Sequence, residues 1–142
     1  MRNRGFTLVE LMVVVVVIGL LAAIAIPNFH AITGRAREAA VKSNMHLVQT
    51  AMEDYSAVSG GRYPDDGSDP ADDGLTLEQH IPGQLFPPNP YTKVSTVVQF
   101  DVDPTLGNPG ELGFNPATRD SYRLKGVGDD GALMGQVLST GM

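Results

Sequence analysis

The chain has 142 residues and a mass of 15.1 kDa, and it contains no cysteine, which excludes disulfide frameworks, thiolate metal sites and cysteine nucleophiles. Ten basic residues stand against 16 acidic ones, and the net charge of −6 argues against a nucleic-acid surface. The 42% hydrophobic content is the mean of two unlike parts: Met1–Gly61 holds the apolar run, while Arg62–Met142 holds twelve of the acidic residues, 11 of 16 glycines and 9 of 10 prolines.

The first element begins at the N-terminus. Phe6 to Ile26 is 21 residues long with a single charge, Glu10, and no further charged residue follows until Arg35. A helix of that length rises about 30 Å, the thickness of a bilayer's hydrocarbon core. The run Val13–Val17 would suit a strand in isolation, but an unbroken apolar stretch of this length reads as a membrane-inserted helix. Arg2 and Arg4 precede it, which places Met1–Gly5 on the cytoplasmic side and the remainder outside. A cleaved secretory signal needs a shorter apolar core, although Ala22, Ala23 and Ala25 imitate its small-residue site. Glu10 is the anomaly, because a carboxylate in a membrane span costs up to about 3 kcal/mol and is normally there for a partner or a function.

The string Arg4-Gly5-Phe6-Thr7-Leu8-Val9-Glu10-Leu11-Met12-Val13-Val14 resembles the prepilin signature of type IV pilins and type II secretion pseudopilins. The resemblance implies a leader of residues 1–5, cleavage of Gly5–Phe6 by prepilin peptidase, N-methylation of Phe6 and an assembly role for Glu10. It implies a bacterial inner-membrane protein with a single span, its N-terminus cytoplasmic before assembly, delivered to an inner-membrane assembly platform. The end state is a periplasmic or cell-surface helical homopolymer. Cleavage would expose a cationic amine on Phe6, and Glu10 of a neighbouring copy is a fitting counter-charge. Such a pair in a low-dielectric bundle sets register more than it adds stability. Pro27 falls where the family often carries a helix proline, and the family's filaments are commonly unwound there.

Beyond Pro27 the helix continues to about Val58, where Gly60-Gly61 stops it, so that the long helix with its cap occupies residues 6–61. Val41, Met45, Val48, Met52 and Tyr55 recur at spacings of four and three, one apolar stripe on which a sheet can sit. Pro27, and to a lesser degree Gly34, mark a kink or loosened turn.

Residues 62–142 read as a globular head. Asp65, Asp66, Asp69, Asp72 and Asp73 form an acidic loop, and Asp129 and Asp130 a second acidic turn. Calcium is the secondary reading for both and a solvated loop the primary one, because the spacing is not that of an EF-hand. Thr76 to Ile81 reads as a short helix with Thr76 and Gln79 at capping-box spacing. Leu85–Thr92 is extended and proline-rich, Lys93 to Val102 alternates as a strand, and Ser121–Val127 with Ala132–Leu138 makes a hairpin around residues 128–131. The expected fold is therefore α+β: a long N-terminal helix packed on a small antiparallel sheet.

His30, His46 and His80 have no ligand spacing, and no phosphate loop, serine elbow or paired carboxylates occur, so the chain reads as a non-enzyme without a cofactor. The leading expectation is a structural subunit of a type IV pilus or type II secretion pseudopilus. The missing cysteines favour the pseudopilus, since many pilins close a loop with a disulfide; the missing tryptophan departs from the Asp-Pro-Trp-Gly segment common in major pseudopilins. The alternative is a monomeric membrane-anchored extracytoplasmic binding module, which predicts an intact leader and no polymer.

Overall fold

The computed structural model describes residues 5–96, 98–101, 107–118, 121–131 and 133–139. Met1–Arg4 of the expected leader, Val97 and Val102 of the expected strand and Ala132 of the expected hairpin lie outside these residues. The chain divides into two compact units, Met1–Arg35 and Ala36–Met142. Its elements are α1 (Leu8–Val58), α2 (Leu77–His80), β1 (Val98–Phe100), β2 (Leu112–Thr118), β3 (Ser121–Val127) and β4 (Leu133–Ser139).

In the first unit α1 is apolar on every side, and its large hydrophobic side chains from Leu8 to Ile32 are all exposed. A helix of this kind, long and apolar enough to cross a membrane, belongs in lipid or among other helices. Pro27 lies inside it and cannot donate to the carbonyl of Ala23, yet the backbone stays helical from Gly19 through Gly34.

In the second unit α1 becomes one-sided. Val41, Met45, Val48, Met52 and Tyr55 are completely buried, as their spacing requires, and with Ala51 they form one wall of the core. Leu77 of α2, Leu112 and Phe114 of β2, and Tyr122 and Leu124 of β3 form the other. Each such side chain contributes about 1.5–3 kcal/mol by leaving water. The helix ends where Gly60 takes φ +65°, a left-handed conformation, and the Gly61 amide closes on the Ser56 carbonyl at 2.9 Å. That closure satisfies a carbonyl the last turn would otherwise leave bare. The capping box at α2 is present, with the Thr76 amide donating to Gln79 Oε1 at 2.9 Å.

The sheet has the order β1-β2-β3-β4. The β3–β4 hairpin falls where the alternation and the glycine turn put it. Three features differ from the expectation. The sheet is mixed, because β1 pairs with β2 in parallel, Phe100 beside Phe114. Its second strand, β2, contains Asn115 and Pro116 and therefore resembles a loop in sequence; the proline is accommodated where the register shifts between Pro116 and Thr118.

The expected ten-residue strand from Lys93 shrinks to Val98–Phe100, because Asn89 captures the residues before it. Its side-chain oxygen accepts the Tyr91 amide at 2.8 Å, its carbonyl the Lys93 amide at 2.8 Å, and its own amide donates to the Val94 carbonyl at 2.7 Å. Val94 is consequently 64% exposed on a turn instead of facing the core. The Asn89 side-chain nitrogen Nδ2 also donates to the Pro109 carbonyl at 3.0 Å, beside Gly110 at φ +85°. A Cβ on Gly110 would overlap the Asn89 side chain, so this approach requires glycine.

Candidate functional site: the N-terminal segment

Gly5 and Phe6 lie outside any helix or strand, ahead of α1, and are exposed, Phe6 to 72%. A Cβ on Gly5 would meet nothing within 4 Å, and its backbone is not left-handed. The fold therefore does not demand glycine there.

Thr7 and Glu10 form a reciprocal capping box at the start of α1. The Thr7 amide and hydroxyl donate to Glu10 Oε2 at 2.9 and 2.8 Å, and the Glu10 amide donates back to Thr7 Oγ1 at 3.2 Å. The arrangement satisfies two of the donors that a helix start leaves open. It also fixes the carboxylate in place, with no hydrogen bond to Oε1 within the described residues. The Thr-x-x-Glu spacing is the same signal that marks Thr76 and Gln79, so the rule that located α2 also locates Thr7.

In the head, Asp66, Asp69 and Asp73 of the acidic loop are engaged locally. Asp69 pairs with Arg62 and accepts the Asp65 amide at 3.1 Å. Burial raises the Asp69 carboxyl, but the Asp65 amide and the Arg62 guanidinium outweigh it and hold the group below the ordinary carboxylate range. Asp66 is held low by the hydroxyl and amide of Ser68, both at 2.7 Å. Asp72 is exposed, Asp73 accepts the Leu75 amide at 2.9 Å, and Asp129 and Asp130 sit exposed on the β3–β4 turn. Among the described residues no three His, Asp or Glu side chains converge on a metal position. His80 is not a surface residue: its side chain is 3% exposed, with Nδ1 at 2.9 Å from Asp54.

On the α1–sheet seam, Glu53 accepts the hydroxyls of Tyr122 at 2.9 Å and Tyr63 at 3.2 Å. Burial, and then the Glu53 carboxylate, push the Tyr122 phenol far above its ordinary value.

Residues 1–26 match the family model described as the prokaryotic N-terminal methylation motif. The chain is 52% identical to the type IV major pilin protein PilA of Myxococcus xanthus, over 54 residues that cover 38% of this chain and 24% of that pilin. It is 45% identical to a fimbrial protein of Pseudomonas aeruginosa over 60 residues, 42% of this chain and 38% of that one. Against the type II secretion system core protein G of Escherichia coli K12 the identity is 30% over 134 residues, covering 93% of this chain and 86% of the relative. The chain belongs to the type IV pilin and type II secretion pseudopilin family. Members of this pilin and pseudopilin family are structural subunits and not enzymes. The matched motif contains Gly5, Phe6, Thr7 and Glu10, so the geometry above is that of the family's defining segment. No solved structure matches the chain.

Proposed function

We propose that the chain is a structural subunit that polymerises through its N-terminal helix into a type II secretion pseudopilus. The observation that carries this reading is the reach of the similarity. It extends through the head for core protein G, whereas for the Myxococcus and Pseudomonas pilins it stays within 60 residues. The missing cysteines point the same way. The chain enters the inner membrane with Met1–Gly5 in the cytoplasm and the head on the far side. Prepilin peptidase cuts Gly5–Phe6, Phe6 is N-methylated, and the inner-membrane platform draws the trimmed subunit into a helical fibre. Glu10 accepts the Phe6 amine of a neighbouring copy, and the helix loosens at Pro27 as it packs. The exposed Gly5–Phe6 bond, ahead of the helix, and the preset carboxylate support these steps.

N-terminal mass analysis of the protein from membranes tests the proposal directly. The expected product begins at a methylated Phe6. An unprocessed chain beginning at Met1, with no polymer in sheared or cross-linked fractions, is the signature of the monomeric membrane-anchored module and overturns it.

A further inference from the structure

His80 lies on α2 with its ring buried against the edge of the Tyr55 ring, centroids 5.8 Å apart. Its Nδ1 stands 2.9 Å from Asp54 Oδ2, and since a carboxylate only accepts, Nδ1 carries the proton and donates. The orientation leaves Nε2 buried and without a hydrogen-bond partner. What it faces is Asp73 Oδ1, at 3.7 Å. That gap is too long for a hydrogen bond. It is close to the span between two donors on one small divalent cation, since bonds of about 2.1 Å at angles between tetrahedral and trigonal separate them by about 3.4–3.6 Å.

Both donors are held in place before any cation arrives. Asp54 fixes the ring of His80 in the way that a carboxylate behind a ligating imidazole does in metal sites. The Leu75 amide, at 2.9 Å, fixes Asp73 Oδ1. The donor set, one imidazole nitrogen and one carboxylate oxygen, suits a borderline transition-metal ion of the zinc class better than calcium, which takes oxygen ligands. We infer that His80 Nε2 and Asp73 bind a zinc-class divalent cation, with Asp54 as the positioning residue and water in the remaining positions. The ion ties the acidic loop to α2, and through Asp54 to α1, which turns the loop's anchorage into a function of metal supply.

The test is a zinc titration of the full chain in detergent, followed by calorimetry and thermal unfolding, in a background where the exposed His30 and His46 are glutamine. The expected result is one saturable equivalent and a rise in Tm of several degrees. D73N and H80Q each weaken binding at least tenfold, and Asp54→Ala weakens it about 10- to 100-fold, as loss of a supporting carboxylate does. Should H80Q fail to fold, D73N decides, because Asp73 is at the surface. X-ray absorption of the loaded protein must show one imidazole nitrogen among oxygen donors. Absence of saturable binding, binding indifferent to D73N, or a spectrum without imidazole overturns the inference.

Discussion

Glu10 Oε2 accepts two hydrogen bonds from Thr7, the amide and the hydroxyl, within a single turn at the start of the apolar helix. The carboxylate that the sequence leaves conspicuous in a membrane span is thus anchored by its own chain, and its second oxygen is presented outward. Glu10→Val is expected to insert and be trimmed normally while failing to assemble. Fibres of normal length and number from that variant, counted by electron microscopy after shearing, contradict the role given to Glu10. Thr7→Ala removes the hydroxyl of the capping box and costs the helix start about 0.5–2 kcal/mol, so it lowers fibre yield without abolishing insertion.

Gly5 separates recognition from folding. With open space around its α-carbon, Gly5→Leu leaves the circular dichroism and Tm of the chain unchanged. The same variant is expected to accumulate with its leader attached, which mass spectrometry reads directly. Normal trimming would show that glycine is not what the peptidase reads.

Gly110 is the opposite case. Its left-handed backbone and the Asn89 side chain against it leave no place for a methyl group. Gly110→Ala therefore lowers Tm by several degrees, since about 1 kcal/mol corresponds to about 4–8 °C in a domain of this size. Asn89→Ala releases the same junction, and the double variant is expected to lose less than the sum.

The buried stripe gives a graded test. Met52→Ala opens a cavity between α1 and the sheet and is expected to cost about 2–5 kcal/mol. Val58→Ala, on the exposed last turn of the same helix, is expected to change Tm by a degree or two at most. Thermal unfolding of both in one detergent compares them.

Tyr122 sets an alkaline limit. Its phenol is raised above the ordinary value of 10.0 in the folded chain, so its contribution is complete below pH 10 and is lost as pH rises above that value. Tyr122→Phe is expected to flatten stability above pH 10. At the acid end Asp66 and Asp69 are lowered from the ordinary 3.8, so their contribution is present above that value and lost as pH falls through it. Asp69→Asn is expected to reduce that acid sensitivity in a Tm series between pH 5 and 2.

The long helix, its stop at Gly60, the buried face from Val41 to Tyr55, the capped α2 and the last hairpin were all legible, because each is written in local periodicity or turn chemistry. The parallel pairing of β1 was not, since nothing local distinguishes a strand that will run parallel from one that will not. Nor was the short β1, because one asparagine's hydrogen bonds outweighed the alternation of Val94, Thr96 and Val98. At the N-terminus the segment from Gly5 to Glu10 was readable from the motif, and the family model matches it. The partnership of His80 with Asp54 and Asp73 was not, because 26 residues separate His80 from Asp54 and only the packed head brings them together.

Apart from Glu10 the membrane-length first half of α1 is apolar, so growth of the proposed fibre would be an exchange between two oils. Lipid tails and neighbouring valines solvate it about equally, so leaving the bilayer gains little from dehydration. In the proposed fibre, polymer and membrane pool would stand near balance, and small specific terms, a carboxylate finding an amine or one head touching another, would decide the direction. The fibre proposed above would then need only modest work at its base to lengthen or shorten.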